Sequence, residues 1–171
     1  MGTIKTKTIM AFLKKEQYEY RREAAAERNM RNELKAVDNG MTAKQAELIS
    51  ELCSLRHKLH CSMDSIVKNN DGDIYKRFVS LEERMEESGL PELGVSRTLE
   101  EMDDMDGLMF YYGEDVPEDH DSAEFQEWYK EEYSRIYNEL SNVNDTIEKH
   151  LKKIDDKYKT SFCPTGALRA F

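Results

Sequence analysis

The stretch Leu52-Cys53-Ser54-Leu55-Arg56-His57-Lys58-Leu59-His60 sets two imidazoles, a guanidinium and an ammonium within five residues of an otherwise acidic chain. Histidine titrates near neutrality, so one imidazole can take a proton while another gives one at cellular pH. On RNA, one imidazole would take the proton of a ribose 2′-hydroxyl and another group would protonate the leaving oxygen. Arg56 and Lys58 would stabilise the phosphorane charge, the long stem of Lys58 making up for its offset around the helix. The plainer reading is a helix edge where two histidines and two bases face water.

A metal is the competing chemistry. Cys53, His57, His60 and Cys61 share one helical stripe and are soft or borderline ligands. Spread along about two turns of one rigid helix, all four cannot converge tetrahedrally on one ion. A two-residue site completed by Cys163 or His150 is what remains of that reading, and His57 with His60 lacks the His-Glu-x-x-His spacing of zinc proteases. Asn69-Asn70-Asp71-Gly72-Asp73 resembles the start of a calcium loop. Aligning Gly72 to the loop glycine, however, puts Val67 and Phe78 at the first and last ligand positions, where oxygens are needed. No phosphate-cradling glycine loop, dinucleotide fingerprint or nucleophile elbow occurs, so neither nucleotide-dependent chemistry nor a cofactor is expected.

The elements that must position the histidine group are helical. Residues from about Met10 to Val37 are rich in Ala, Glu, Lys and Arg, and Asp38-Asn39-Gly40 interrupts them. Thr42-Ala43-Lys44-Gln45 reads as a capping box, opening a second helix to about Lys68 on which Leu48, Leu52, Leu55 and Leu59 face a core. The His/Arg/Lys group is expected at the margin of that leucine stripe, within reach of a phosphate. A third helix covers about Ile74 to Glu87 and stops at Ser88-Gly89-Leu90-Pro91. Between Leu93 and Asp121 the pattern is weakest: Leu108-Met109-Phe110-Tyr111-Tyr112 reads as a short strand or packed loop, with Gly94-Val95-Ser96-Arg97-Thr98 as a weak strand partner.

Asp121-Ser122-Ala123-Glu124 offers another capping box. Beyond it Tyr129, Tyr133, Ile136, Leu140, Val143, Ile147, Leu151, Ile154 and Tyr158 recur at steps of four and three, as in a coiled-coil seam. A helix of about 37 residues must lie against another long helix, and the leucine-striped one is the natural partner. Cys163-Pro164-Thr165-Gly166 then turns the chain. The fold expected is mainly α, an elongated helical bundle built on a long antiparallel helical hairpin, with a small β-hairpin as an option in the middle segment. It would form a single domain over residues 1–171, with 1–16 a flexible extension and 93–121 an acidic insertion-like segment.

With 39% hydrophobic and 35% charged residues, the composition suits long helices with much solvated surface. The net charge of −10 is uneven: residues 100–132 hold fourteen acids and one base, Lys130, leaving the rest slightly basic. A general nucleic-acid binder needs a cationic footprint, which the whole chain lacks. The acidic third instead suits solvation or a basic partner surface, and Phe110, Tyr111, Tyr112, Phe125, Trp128 and Tyr129 flank it for core packing, base stacking or an interface. Three cysteines cannot all pair within the chain, Ile9-Met10-Ala11-Phe12-Leu13 is too short for a secretory core, and no apolar run approaches a membrane span; a reducing cytoplasm is the expected setting.

The order of motifs resembles a known family. Met41-Thr42-Ala43-Lys44-Gln45, the Leu52 to His60 stretch, Asp64-Ser65, Gly89-Leu90-Pro91, and Val116-Pro117-Glu118-Asp119 leading to Glu127-Trp128 carry the likeness. So do Asp145-Thr146-Ile147-Glu148-Lys149 and Tyr158 to Arg169 with Cys163-Pro164-Thr165-Gly166. Together they are similar to type V-A anti-CRISPR proteins that inactivate their target by cutting its guide RNA. The similarity runs from about Tyr18 to Arg169, strongest at the Arg-His-Lys helix and the C-terminal end and weakest in the acidic middle. The extension Met1 to Glu16 and the dense acids around Asp103 to Asp106 depart from the family pattern.

The resemblance implies a phage or mobile-element protein of the bacterial host cytoplasm, docking on the guide-loaded type V-A effector nuclease near its PAM-reading site. It would truncate the guide RNA there without a nucleotide or metal. Arg56, His57, Lys58 and His60 are carried over as the candidate catalytic group, with the division of acid and base between the histidines left open. Asp103, Asp104, Asp106, Tyr111, Tyr112, Glu114, Asp115 and Trp128 are the candidate partner-binding residues. The effector's channel is basic, so an acidic inhibitor can compete there by charge mimicry, and the effector would hold the RNA. Two other function classes stay open: an inhibitor that only binds and blocks PAM engagement, and a structural coiled-coil interaction protein.

Overall fold

A computed structural model describes residues 23–69, 72–103 and 116–163. Six helices occupy them: α1 (residues 23–38), α2 (Ala43–Cys61), α3 (Met63–Asn69), α4 (Gly72–Glu87), α5 (Ser96–Asp103) and α6 (Ala123–Tyr158). The fold is all-α, as the periodicity predicts, and no strand occurs among the described residues. Ser96, Arg97 and Thr98, read as part of a weak strand, lie in α5 instead. Its proposed mate, residues 108–112, and the extension 1–16 lie outside the described residues.

Helix α6 is 36 residues long, about 54 Å at the α-helical rise. All nine predicted seam positions pack on the core of this same chain: Ile136, Leu140, Val143, Ile147, Leu151 and Ile154 are buried, and Tyr129, Tyr133 and Tyr158 lean against them. The seam is therefore filled from within. Its partner is α2, prolonged by α3, and the pairing is antiparallel because contacts descend α6 as they ascend α2 and α3. Asn39 donates to the Tyr158 carbonyl (2.7 Å), Arg56 meets Glu148 (3.3 Å), and Tyr133 donates to Asp64 (2.5 Å). On the other side α2 packs on α4, which carries α5.

The expected single helix from Thr42 to Lys68 is broken at Ser62, where φ −118° and ψ 14° divide α2 from α3. Its N–H still bonds back to the Leu59 and Lys58 carbonyls, so the break is a kink and not a loop. Helix α4 ends as predicted. At Gly89 (φ +89°) the Leu90 N–H reaches the Met85 carbonyl and the Gly89 N–H that of Glu86, while Leu90 and Met85 are both buried. This Schellman ending needs a left-handed residue, which glycine supplies without steric cost. The cap of α6 falls one residue later than expected, on Ser122, whose Oγ accepts from the Phe125 N–H (3.1 Å).

Helix α5 starts on a carboxylate borrowed from α4. Glu82 is 3% exposed and accepts from the backbone N–H groups of Gly94, Val95 (3.3 Å) and Ser96 (2.8 Å) and from the Ser96 hydroxyl. Those amides have no partner within their own helix, and a negative charge there also suits the helix dipole.

Candidate functional site

The histidine group sits on a helix held on several sides. Thr42 and Gln45 form the predicted capping box, each accepting from the other's backbone at 3.1 Å, and Gln45 Nε2 also donates to the Ser88 carbonyl (2.8 Å). Nearly two turns on, Arg84 of α4 grips Glu51 through both terminal guanidinium nitrogens at 3.0 and 2.7 Å. Beneath, Ala46, Leu48, Ile49, Leu52, Leu55 and Leu59 are buried. The outer face therefore has little freedom to shift.

On that face His57, Lys58 and His60 are exposed, as the acid-base reading requires. Arg56 is not with them. It is 5% exposed, and its guanidinium turns inward to Glu148 Oε2 (3.3 Å), with Nε buried and without a hydrogen-bond partner. The expectation that Arg56 stands with the histidines at the margin of the leucine stripe, within reach of a phosphate, is thus corrected. Position 56 lies four residues after Leu52 and three before Leu59, so it shares their inward face. Its partner Glu148, a third exposed, is also paired with Lys152 (3.6 Å).

The predicted stripe of soft ligands divides in two. His57 and Cys61 are exposed, with Cys61 Sγ 3.6 Å from His57 Nε2. Cys53 faces inward and donates to the Phe162 carbonyl at 3.4 Å. Burial pushes the Cys53 thiol well above its ordinary range and raises Cys163 too. His150, the other proposed completing ligand, is half-buried on α6, and burial, then Lys153, lower its pKa against an opposing pull from Glu82. Its Nε2 has no hydrogen-bond partner. Among the described residues no three His, Cys, Asp or Glu side chains converge, so the completion of the site by Cys163 or His150 is corrected as well.

Just past the kink, Asp64 Oδ1 accepts from the Tyr133 hydroxyl (2.5 Å) and Oδ2 takes Lys68 Nζ (3.2 Å). The Tyr133 hydrogen bond, then Lys68, hold the Asp64 carboxyl below its ordinary pKa, and the same bond raises the Tyr133 phenol to about 12. At the far end of the chain Asp155 accepts from the Thr160 hydroxyl (2.7 Å) and from the Phe162 and Cys163 N–H groups (2.8 and 2.9 Å). Asn32 of α1 accepts from the Ser161 N–H (2.9 Å), so the last described turn is pinned beside Cys53.

Of the candidate partner-binding residues, Asp104, Asp106, Tyr111, Tyr112, Glu114 and Asp115 lie outside the described residues. Asp103 ends α5 half-buried, its carboxylate pressed against Gly72 at the start of α4, where any Cβ would collide with it. Trp128 is half-buried in an aromatic group with Phe125 (centroids 5.7 Å apart), on which His120 stacks at 4.4 Å. Around it Glu118, Asp119, Asp121, Glu124, Glu127 and Glu131 are exposed. Among the described residues no helix is long and apolar enough to cross a membrane. Comparison with protein-family models, with curated proteins and with solved structures finds no match to this chain.

Proposed function

We propose that this chain inhibits a guide-loaded type V-A CRISPR effector by cutting the guide RNA with His57 and His60 as the proton-transfer pair. The observation that carries the reading is the exposure of His57, Lys58 and His60 together on a helix fixed by its cap, its leucine face and its ties to α4 and α6. A pair of imidazoles carried on a fixed helix can deprotonate the 2′-hydroxyl and protonate the departing 5′-oxygen, while the Lys58 ammonium offsets the phosphorane charge. Arg56 is a positioning residue here, acting on its neighbour His57 by clamping α2 to α6. The motif order from Met41 to Arg169 supplies the target. The acids exposed from Glu118 to Glu131 suit a basic effector surface, so a chain of net −10 need not capture RNA alone.

The test is a gel of the guide RNA after mixing with loaded effector in EDTA, with inhibitor below stoichiometry. A shortened guide is expected, and an intact guide overturns the enzyme reading. One observation favours the binding-only alternative: with Arg56 withdrawn, Lys58 is the permanent cation left on the exposed 56–60 face. That alternative predicts inhibition that tracks stoichiometry and survives loss of both histidines.

A further inference from the structure

His57 and Cys61 lie one turn apart on the exposed face of α2, with Cys61 Sγ 3.6 Å from Nε2 and 3.9 Å from Nδ1 of the imidazole. A zinc ion bound to a thiolate at about 2.3 Å and an imidazole nitrogen at about 2.05 Å, at a tetrahedral angle, holds those donors about 3.6 Å apart. We propose that His57 and Cys61 form a two-residue chelate for a borderline divalent cation, zinc foremost, whose other positions are filled by water.

Three features favour the pair. Both side chains are exposed, so a rotation of the imidazole about χ2 aims the Nε2 lone pair at the ion without disturbing the core. The helix preorganises them, because Arg56 and Leu59 hold the intervening turn from beneath. The other two thiols face inward, Cys53 already donating to the Phe162 carbonyl, which leaves Cys61 as the accessible sulfur. Among the described residues no third side chain of the ligating types joins them, which argues for weak, exchangeable binding and against a structural site. Lys58, on the turn before Cys61, adds a like charge that weakens it further.

Binding replaces the Cys61 S–H proton with the ion and releases that proton to solvent, so affinity falls as pH falls. The ion also takes up the His57 lone pair. If His57 cuts RNA, zinc switches the cut off and a chelator restores it; this consequence, unlike the site, rests on the proposed function.

The test uses the full chain alone, kept reduced with a non-thiol reductant and titrated with Co²⁺. A saturable thiolate-to-cobalt band in the near ultraviolet is expected at one ion per chain and displaced by Zn²⁺. It should vanish in Cys61→Ser, persist in Cys163→Ser, and need at least about tenfold more cobalt in His57→Ala. No band in the native chain, a band surviving Cys61→Ser, or unchanged affinity in His57→Ala overturns the proposal. Since no RNA is present, this outcome is independent of the guide-cutting test.

Discussion

Replacing Arg56 by alanine removes a buried guanidinium and leaves Glu148, a third exposed, without its cross-helix partner. Breaking a buried pair on one side costs about 3–5 kcal/mol, and the partial hydration left to Glu148 brings the expected loss to about 2 kcal/mol. Alanine at His57 or His60, both exposed, should change stability by no more than about 0.5 kcal/mol. Urea denaturation of the three variants checks this, and equal losses would contradict the division between Arg56 and its neighbours. That division was legible in the sequence, since position 56 falls within the leucine spacing. A cluster defined by charge alone hid it. Cys61 beside His57 was visible as a spacing of four, whereas its 3.6 Å approach depends on rotamers that no sequence pattern specifies.

His150 sets a pH dependence at the same scale. Its folded pKa lies below the ordinary 6.5, chiefly through burial and next through Lys153. Below about pH 6.5 the unfolded chain therefore takes up the proton first. Stability falls as pH drops through that value toward the folded pKa, while above it His150 contributes no slope. His150→Gln should lose less stability than the native chain between about pH 7.5 and about pH 5.5, measured by urea denaturation. A steeper loss in the variant would contradict the assignment.

At the scale of elements, α6 and α2 were the most legible parts, because long apolar periodicities leave one face to bury and one partner long enough to cover it. The kink at Ser62 was not, for the buried positions Leu59, Met63, Ile66 and Val67 continue the helical spacing across it. Helix α5 is hidden in the sequence for another reason. It is eight residues long, and the carboxylate completing its start comes from Glu82, fourteen residues before Ser96. Glu82→Gln keeps the shape but offers an amide nitrogen where an acceptor of N–H and O–H donors is needed. Amide hydrogen exchange should rise across residues 94–103, with a stability loss of about 2 kcal/mol. Unchanged exchange there would show that α5 does not depend on that carboxylate.

Taken whole, the molecule is a brace that holds one face of α2 outward, with exposed acids at the start of α6. Under the proposed function this arrangement would divide the work, the charged surface serving docking and the histidine face chemistry, on one chain whose net charge would repel free RNA. The most direct measurement is the fraction of effector-bound guide RNA shortened per inhibitor molecule in EDTA, comparing the native chain with the double variant His57→Ala, His60→Ala. More than one guide cut per native chain, and none by a double variant that still binds the effector, is the predicted result. Guide left intact by the native chain, or cut equally by the double variant, would contradict it.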